Sequence, residues 1–122
     1  MNSKGGERKF DLEERTFKFS LQVIRLCKSI KVDQISKPII SQLIRSATSV
    51  GANYTEANNA SSKKDFKNKI FICKKESQET KYWLKLLRES QYIDEKDFET
   101  LWQEAHELTL IFQKIVNTSN RV

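Results

Sequence analysis

Lys63, Lys67, Lys74, Lys81 and Lys85 recur at spacings of four and seven residues, which lines them along one flank of a helix. Arg88 extends the line, and Phe71, Lys75, Gln78 and Tyr82 lie further round the same outer surface. A row of ammonium groups neutralises successive phosphates, and aromatic rings beside it offer faces on which bases stack. A solvated surface or a subunit contact explains the same row. Phe71 and Tyr82 weigh against a purely solvated face, because two rings there would otherwise sit in water, and either a nucleic acid or another subunit would cover them. Arg15, Lys18 and Arg25 join as supporting phosphate contacts if the first helix lies alongside.

Catalytic chemistry finds little footing. His106 is the single histidine and projects onto the wet face of the last helix, with no second His or acidic cluster at ligand spacing. Glu76 and Glu79 sit near Trp83 and resemble the helical glutamates of di-metal bundles. Those sites need a Glu-x-x-His from each of two helices, and none is present. The two carboxylates are therefore expected to pair with an Arg or Lys of a neighbouring helix. No glycine-rich phosphate loop or nucleophile motif occurs. The sequence predicts a non-enzyme with no metal and no cofactor.

The element that must carry the lysines is the stretch from Ser61 to Tyr92, which contains no Gly and no Pro. As a helix of about 30 residues it spans about 45 Å. Phe66, Ile70, Cys73, Ser77, Thr80, Leu84 and Leu87 form its apolar seam, whose small polar centre allows close approach of a neighbour. Ser62 reads as its N-cap, with Asp65 in a shortened capping box.

Three companions follow from the same periodicity. Asp11, with Glu14 in the capping-box position, is expected to open the first helix after a mobile tail over residues 1–10. That helix carries two apolar strips, one of Leu12, Phe19, Val23, Leu26 and Ile30, the other of Phe17, Leu21 and Ile24. Together they exceed what a monomeric bundle helix buries and suggest a subunit contact. Ser36 is the expected N-cap of the second helix, with Pro38 in its first turn and Ile35 and Ile40 at staple spacing. Its inward face is Ile40, Leu43, Ile44, Ala47, Gly51 and Tyr54. On its far side Arg45, Ser49, Asn53 and Glu56 form a polar line suited to a hydrogen-bonded contact within or between subunits. Asp94 caps the last helix, supported by Asp97 and an Ile93–Phe98 staple, and Phe98 to Val116 keep helical spacing.

The expected fold is all-α: an antiparallel up-down-up-down four-helix bundle over residues 11–118, with helices near 11–31, 37–58, 62–91 and 95–117 and a C-terminal tail over 119–122. A chain of 122 residues is one domain of this kind. No run is long and apolar enough for a membrane span and no secretory signal is evident, so the expected address is the cytoplasm, with no membrane partner. Cys27 and Cys73 sit at core-like positions and read as buried, reduced thiols. The net charge of +6 is uneven: residues 63–90 hold nine Lys and Arg against four Asp and Glu, whereas residues 91–122 hold three against six. That polarity suits a polyanion partner or head-to-tail contacts between copies.

The run from Gln42 to Leu87 resembles a known family. Gln42-Leu43 with Arg45, then Ser49, Asn53 and Glu56, then Lys64-Asp65-Phe66, and finally Glu76, Glu79, Thr80 and Trp83-Leu84 match the pattern of bacterial four-helix-bundle proteins encoded by intervening sequences in 23S ribosomal RNA genes. These are often called S23 ribosomal proteins, and they are similar to the accessory variability determinant of diversity-generating retroelements. Ala57 departs from the pattern, where many members have Gly. The resemblance implies a ring-like homopentamer and, in the retroelement branch, a basic surface that binds RNA or DNA and a reverse transcriptase. It supplies no catalytic residue.

Overall fold

The computed structural model describes the backbone of residues 4–120 and the side chains of residues 12–119. Four helices account for the fold: α1 (Lys4–Ser29), α2 (Ser36–Asn58), α3 (Lys63–Glu89) and α4 (Glu95–Asn120). Links this short force each helix to return alongside its predecessor. Consecutive helices pack together, α1 and α4 close the bundle more loosely, and α1 lies diagonally across from α3 with no close backbone approach. The first and third links share one end, where the Tyr92 hydroxyl donates to both Asp33 carboxylate oxygens at 2.9 and 2.8 Å.

The helix borders differ from the expected ones where flanking residues compete. α1 runs through Asp11 back to Lys4, because no proline interrupts a helix already nucleated by its buried portion. Of the tails expected at either end, residues 1–3 and 121–122 lie outside the described residues. At the start of α2 the capping residue is Asp33 and not Ser36. Asp33 accepts from the Ile35 and Ser36 amides at 2.9 and 2.8 Å, and Ser36 Oγ accepts from the Asp33 amide at 2.9 Å. This is a reciprocal capping box, with Ser36 buried in the acceptor role usually played by Glu. Ile35 is consequently exposed and forms no staple. Ser62 does cap α3, accepting from the Asp65 amide at 3.0 Å, and Asp94 caps α4 through the Asp97 amide at 2.7 Å. α3 ends in a Schellman turn. Gln91 takes the left-handed conformation (φ 68°), and the Tyr92 amide donates back to the Leu87 carbonyl at 2.9 Å.

The core is built from the apolar strips the spacing picks out. Phe19, Val23 and Leu26 of α1 meet Leu43, Ala47 and Tyr54 of α2, Ile70, Leu84 and Leu87 of α3, and Leu101, Leu108 and Phe112 of α4. Val50 and Ser46 join the inward face of α2, whereas Ile40 and Ile44 stay half-buried. The α2–α3 seam is polar at its centre: Thr80 Oγ1 and Ser46 Oγ bond at 2.9 Å, and Ser77 Oγ donates to the Cys73 carbonyl at 2.8 Å. Gly51 marks the closest approach of α1, since a Cβ there would lie 3.3 Å from Thr16 Oγ1. Both cysteines are free and buried, and burial pushes the Cys27 thiol up to about 11 and the Cys73 thiol up to about 12.

Candidate nucleic-acid interface

α3 separates its charges by azimuth. On the side facing α2, the Arg45 guanidinium meets Glu76 at 3.2 Å and also hydrogen-bonds Glu79. Glu79 accepts a second bond from Trp83 Nε1 at 2.9 Å. The Trp83 bond, then Arg45, holds the Glu79 carboxyl below the usual carboxylate range despite partial desolvation. Further along the same seam Lys69 Nζ pairs with Glu56 at 2.6 Å. Arg45 and Glu56 therefore reach α3 within one subunit. Ser49 and Asn53 do not: Asn53 Nδ2 donates to the Ser49 carbonyl of its own helix at 2.9 Å.

On the side facing α4, two of the expected phosphate contacts turn inward. Lys81 Nζ lies 5.1 Å from the Trp102 ring centroid and 3.0 Å from His106 Nδ1. An ammonium has only protons to give, so Nδ1 is the acceptor. His106 stacks on Trp102 with centroids 5.1 Å apart, so it belongs to the α3–α4 groove and not to a wholly wet face. Desolvation lowers the Lys81 pKa. The Arg88 guanidinium lies 3.8 Å from the Phe98 ring centroid and pairs with Glu89 at 3.0 Å and Glu95 at 3.4 Å. Long stems beside aromatic faces bury their methylenes and gain cation–π attraction, which draws both side chains into the groove.

The supporting cations on α1 are likewise committed or distant. Arg15 Nε meets Glu104 at 2.6 Å and its Nη2 meets Glu107 at 2.7 Å, which raises the guanidinium pKa further. Lys18 pairs with Glu14 at 3.5 Å, and Arg25 is exposed. With α1 across the diagonal from α3, these three do not extend the lysine surface.

What remains on the outer side of α3 is a basic face. Lys63 and Lys85 are exposed, and Lys67 and Lys74 are half-buried along its edge. Lys64 and Lys75, also exposed, add to it. They repeat the eleven-residue spacing of Phe71 and Tyr82, and of the two only Lys64 is absent from the outer surface that the sequence spacing picks out. Phe71 and Tyr82 are 51% and 59% exposed. They are thus not helix contacts within the subunit. The Lys74 ammonium sits 5.4 Å from the Phe71 centroid, and Tyr82 meets Trp83 edge-on at 5.0 Å. The α3 carboxylates between Lys63 and Lys85 lie on the α2 side: Glu76 and Glu79 bond Arg45, and Asp65 is one turn before Lys69.

A second surface feature lies between α1 and α2. Phe17 is 63% exposed, and with Leu21 and Ile24 it borders a groove of about 800 Å³ floored by Gly51 and Ala52. Among the described residues no three His, Cys, Asp or Glu side chains gather as a metal site requires, and no helix is long and apolar enough to cross a membrane.

Comparison with known proteins agrees with this architecture. A crystal structure from Bacteroides thetaiotaomicron, a protein of unknown function from the S23 ribosomal protein family, is 34% identical to this chain and superposes with a TM-score of 0.80. The similarity covers 85% of this chain and 96% of that one. No curated protein matches. The sequence profile of the 23S rRNA-intervening sequence proteins matches residues 8–114, which takes in most of α1 and all of α2 and α3. On that match, the chain belongs to the 23S rRNA-intervening sequence protein family.

Proposed function

We propose that this protein is a non-enzymatic homo-oligomer of the cytoplasm that binds RNA or DNA through the outer face of α3. The observation that carries the reading is the segregation of charge on that helix. Glu76 and Glu79 are drawn to the α2 side by Arg45, Asp65 lies one turn before Lys69, and Glu89 at the end of the helix is paired with Arg88, leaving Lys63, Lys64, Lys74, Lys75 and Lys85 on a face shared with two exposed rings. Among the described residues none of these five lysines is bonded to an acid in an ion pair, and Lys75 alone has one, Glu79, within electrostatic reach. Lys81 and Arg88 act as struts between α3 and α4, and the phosphate contacts fall to the remaining lysines.

Self-association is supported by the exposed Phe17 and the half-buried Leu21 and Ile24, which together border an open apolar groove. Five subunits, and a reverse transcriptase as a further partner, are the forms suggested by the family resemblance. The competing reading, a structural adaptor that contacts only proteins, is favoured by that same groove.

Gel shifts across a salt series test the choice. Affinity for duplex DNA should fall with salt at a log–log slope of roughly 0.9 per phosphate contact. A Lys63/Lys74/Lys85→Glu protein should bind weakly at every salt concentration. Undiminished binding by that variant refutes the basic-face reading and leaves the adaptor. Light scattering that gives a clean monomer refutes self-association in both readings.

A further inference from the structure

We infer that the outer face of α3 selects single-stranded over double-stranded nucleic acid, with Phe71 and Tyr82 as stacking platforms for unpaired bases. The inference rests on the nucleic-acid reading above and narrows its ligand. Phe71 and Tyr82 are eleven residues apart, close to three full turns, so they share an azimuth at a separation of about 16 Å along the axis. Both rings are more than half exposed, although nothing in the bundle prevented polar residues there. Lysines run along both sides of this line, Lys67, Lys74 and Lys85 on one and Lys64 and Lys75 on the other. Ring and charge are also joined locally, with the Lys74 ammonium 5.4 Å from the Phe71 centroid.

Two alternative occupants each leave part of this arrangement unused, and a head-to-tail copy is separated by the test below. A duplex satisfies the lysines but keeps its base faces stacked internally, so the two rings would press against sugar and phosphate. A second copy applied through the same face would set lysines against lysines, which opposes association. A single strand uses both parts. Its phosphates follow the lysines while exposed bases cover the rings, the combination found wherever single strands are held without sequence readout. The lysines span about 33 Å of helix from Lys63 to Lys85, room for roughly ten stacked nucleotides at about 3.4 Å each.

Fluorescence anisotropy with a labelled 20-nucleotide RNA that cannot pair with itself, and with the same sequence as a duplex, tests the inference. The parent protein should hold the single strand about tenfold or more tighter than the duplex. Phe71→Ala/Tyr82→Ala should lose about 30-fold or more on the single strand and little on the duplex, because stacking is forfeited at two bases. Tyr82→Phe, which keeps the ring, should bind like the parent. Equal affinity of the parent for both ligands, or a double variant that keeps single-strand affinity, overturns the selectivity while the basic-face reading stands. Failure to bind either ligand overturns both. A double variant that changes oligomeric state with its affinities intact assigns the rings to a second copy and overturns the inference.

Discussion

The two flanks of α3 are made from similar residues and treated oppositely by their neighbours. Facing α2, Glu76, Glu79 and Lys69 each find a counter-charge on the adjacent helix. On the outer side, lysines accumulate beside exposed rings. The difference shows that a charged residue's role is set by what the next helix presents. α2 offers Arg45 and Glu56 at the level of their partners, and so Glu76 and Glu79 are consumed inside the subunit. The outer lysines gain their potential from that removal as much as from their own number.

Several substitutions break or sharpen this contrast. Both flanks depend on a fixed azimuth of α3, which the buried seam enforces. Leu84, fully buried between them, should cost about 2–5 kcal/mol on replacement by Ala, measured by urea unfolding. A pH ramp probes the same interior. The two thiols have pKa values raised above their unfolded value, so between pH 9 and about 11 the unfolded chain binds fewer protons and stability falls as pH rises. Each thiol should contribute up to about 1.4 kcal/mol per pH unit in that window, and a Cys27→Ala/Cys73→Ala protein should show a shallower alkaline decline. Arg45→Ala should cost about 1 kcal/mol or less, as expected of a partly exposed network. Because that residue serves the α2 flank, unfolding should register the change more than nucleic-acid affinity does. Lys63/Lys74/Lys85→Glu should do the reverse, and a pair of variants that failed to separate in this way would dissolve the contrast. Smallest, Gln91→Gly should stabilise the chain by about 0.5–1 kcal/mol by relieving a left-handed conformation in a residue with a Cβ.

Much of the fold was readable from spacing alone. Every residue of the α3 seam from Ile70 to Leu87 is buried, and Ser62 and Asp94 cap their helices as their local sequence predicts. These features depend on neighbours within a few turns. The capping of α2 was misread because Asp33 and Ser36 both suit a helix start, and Tyr92, 59 residues from Asp33, supplies an extra partner to the former. The candidate interface was legible only in outline. Azimuth brings Lys81 and Arg88 to a flank, but Trp102, His106 and Phe98 decide that they fold inward, and these arrive from another helix. Arg15 is claimed in the same way by Glu104 and Glu107. Single-helix periodicity carries no information about which helix sits across a diagonal, and the three α1 cations were placed with α3 for that reason.

The phenol of Tyr92 joins two of the three connecting segments into one plate. The opposite pole, where the remaining connection meets the finish of α4, holds its turn through local backbone bonds between Glu56 and Ala60. Thermal fraying should therefore begin at that pole and travel toward the tyrosine, so amide deuterium uptake would map a gradient along the long axis of the molecule.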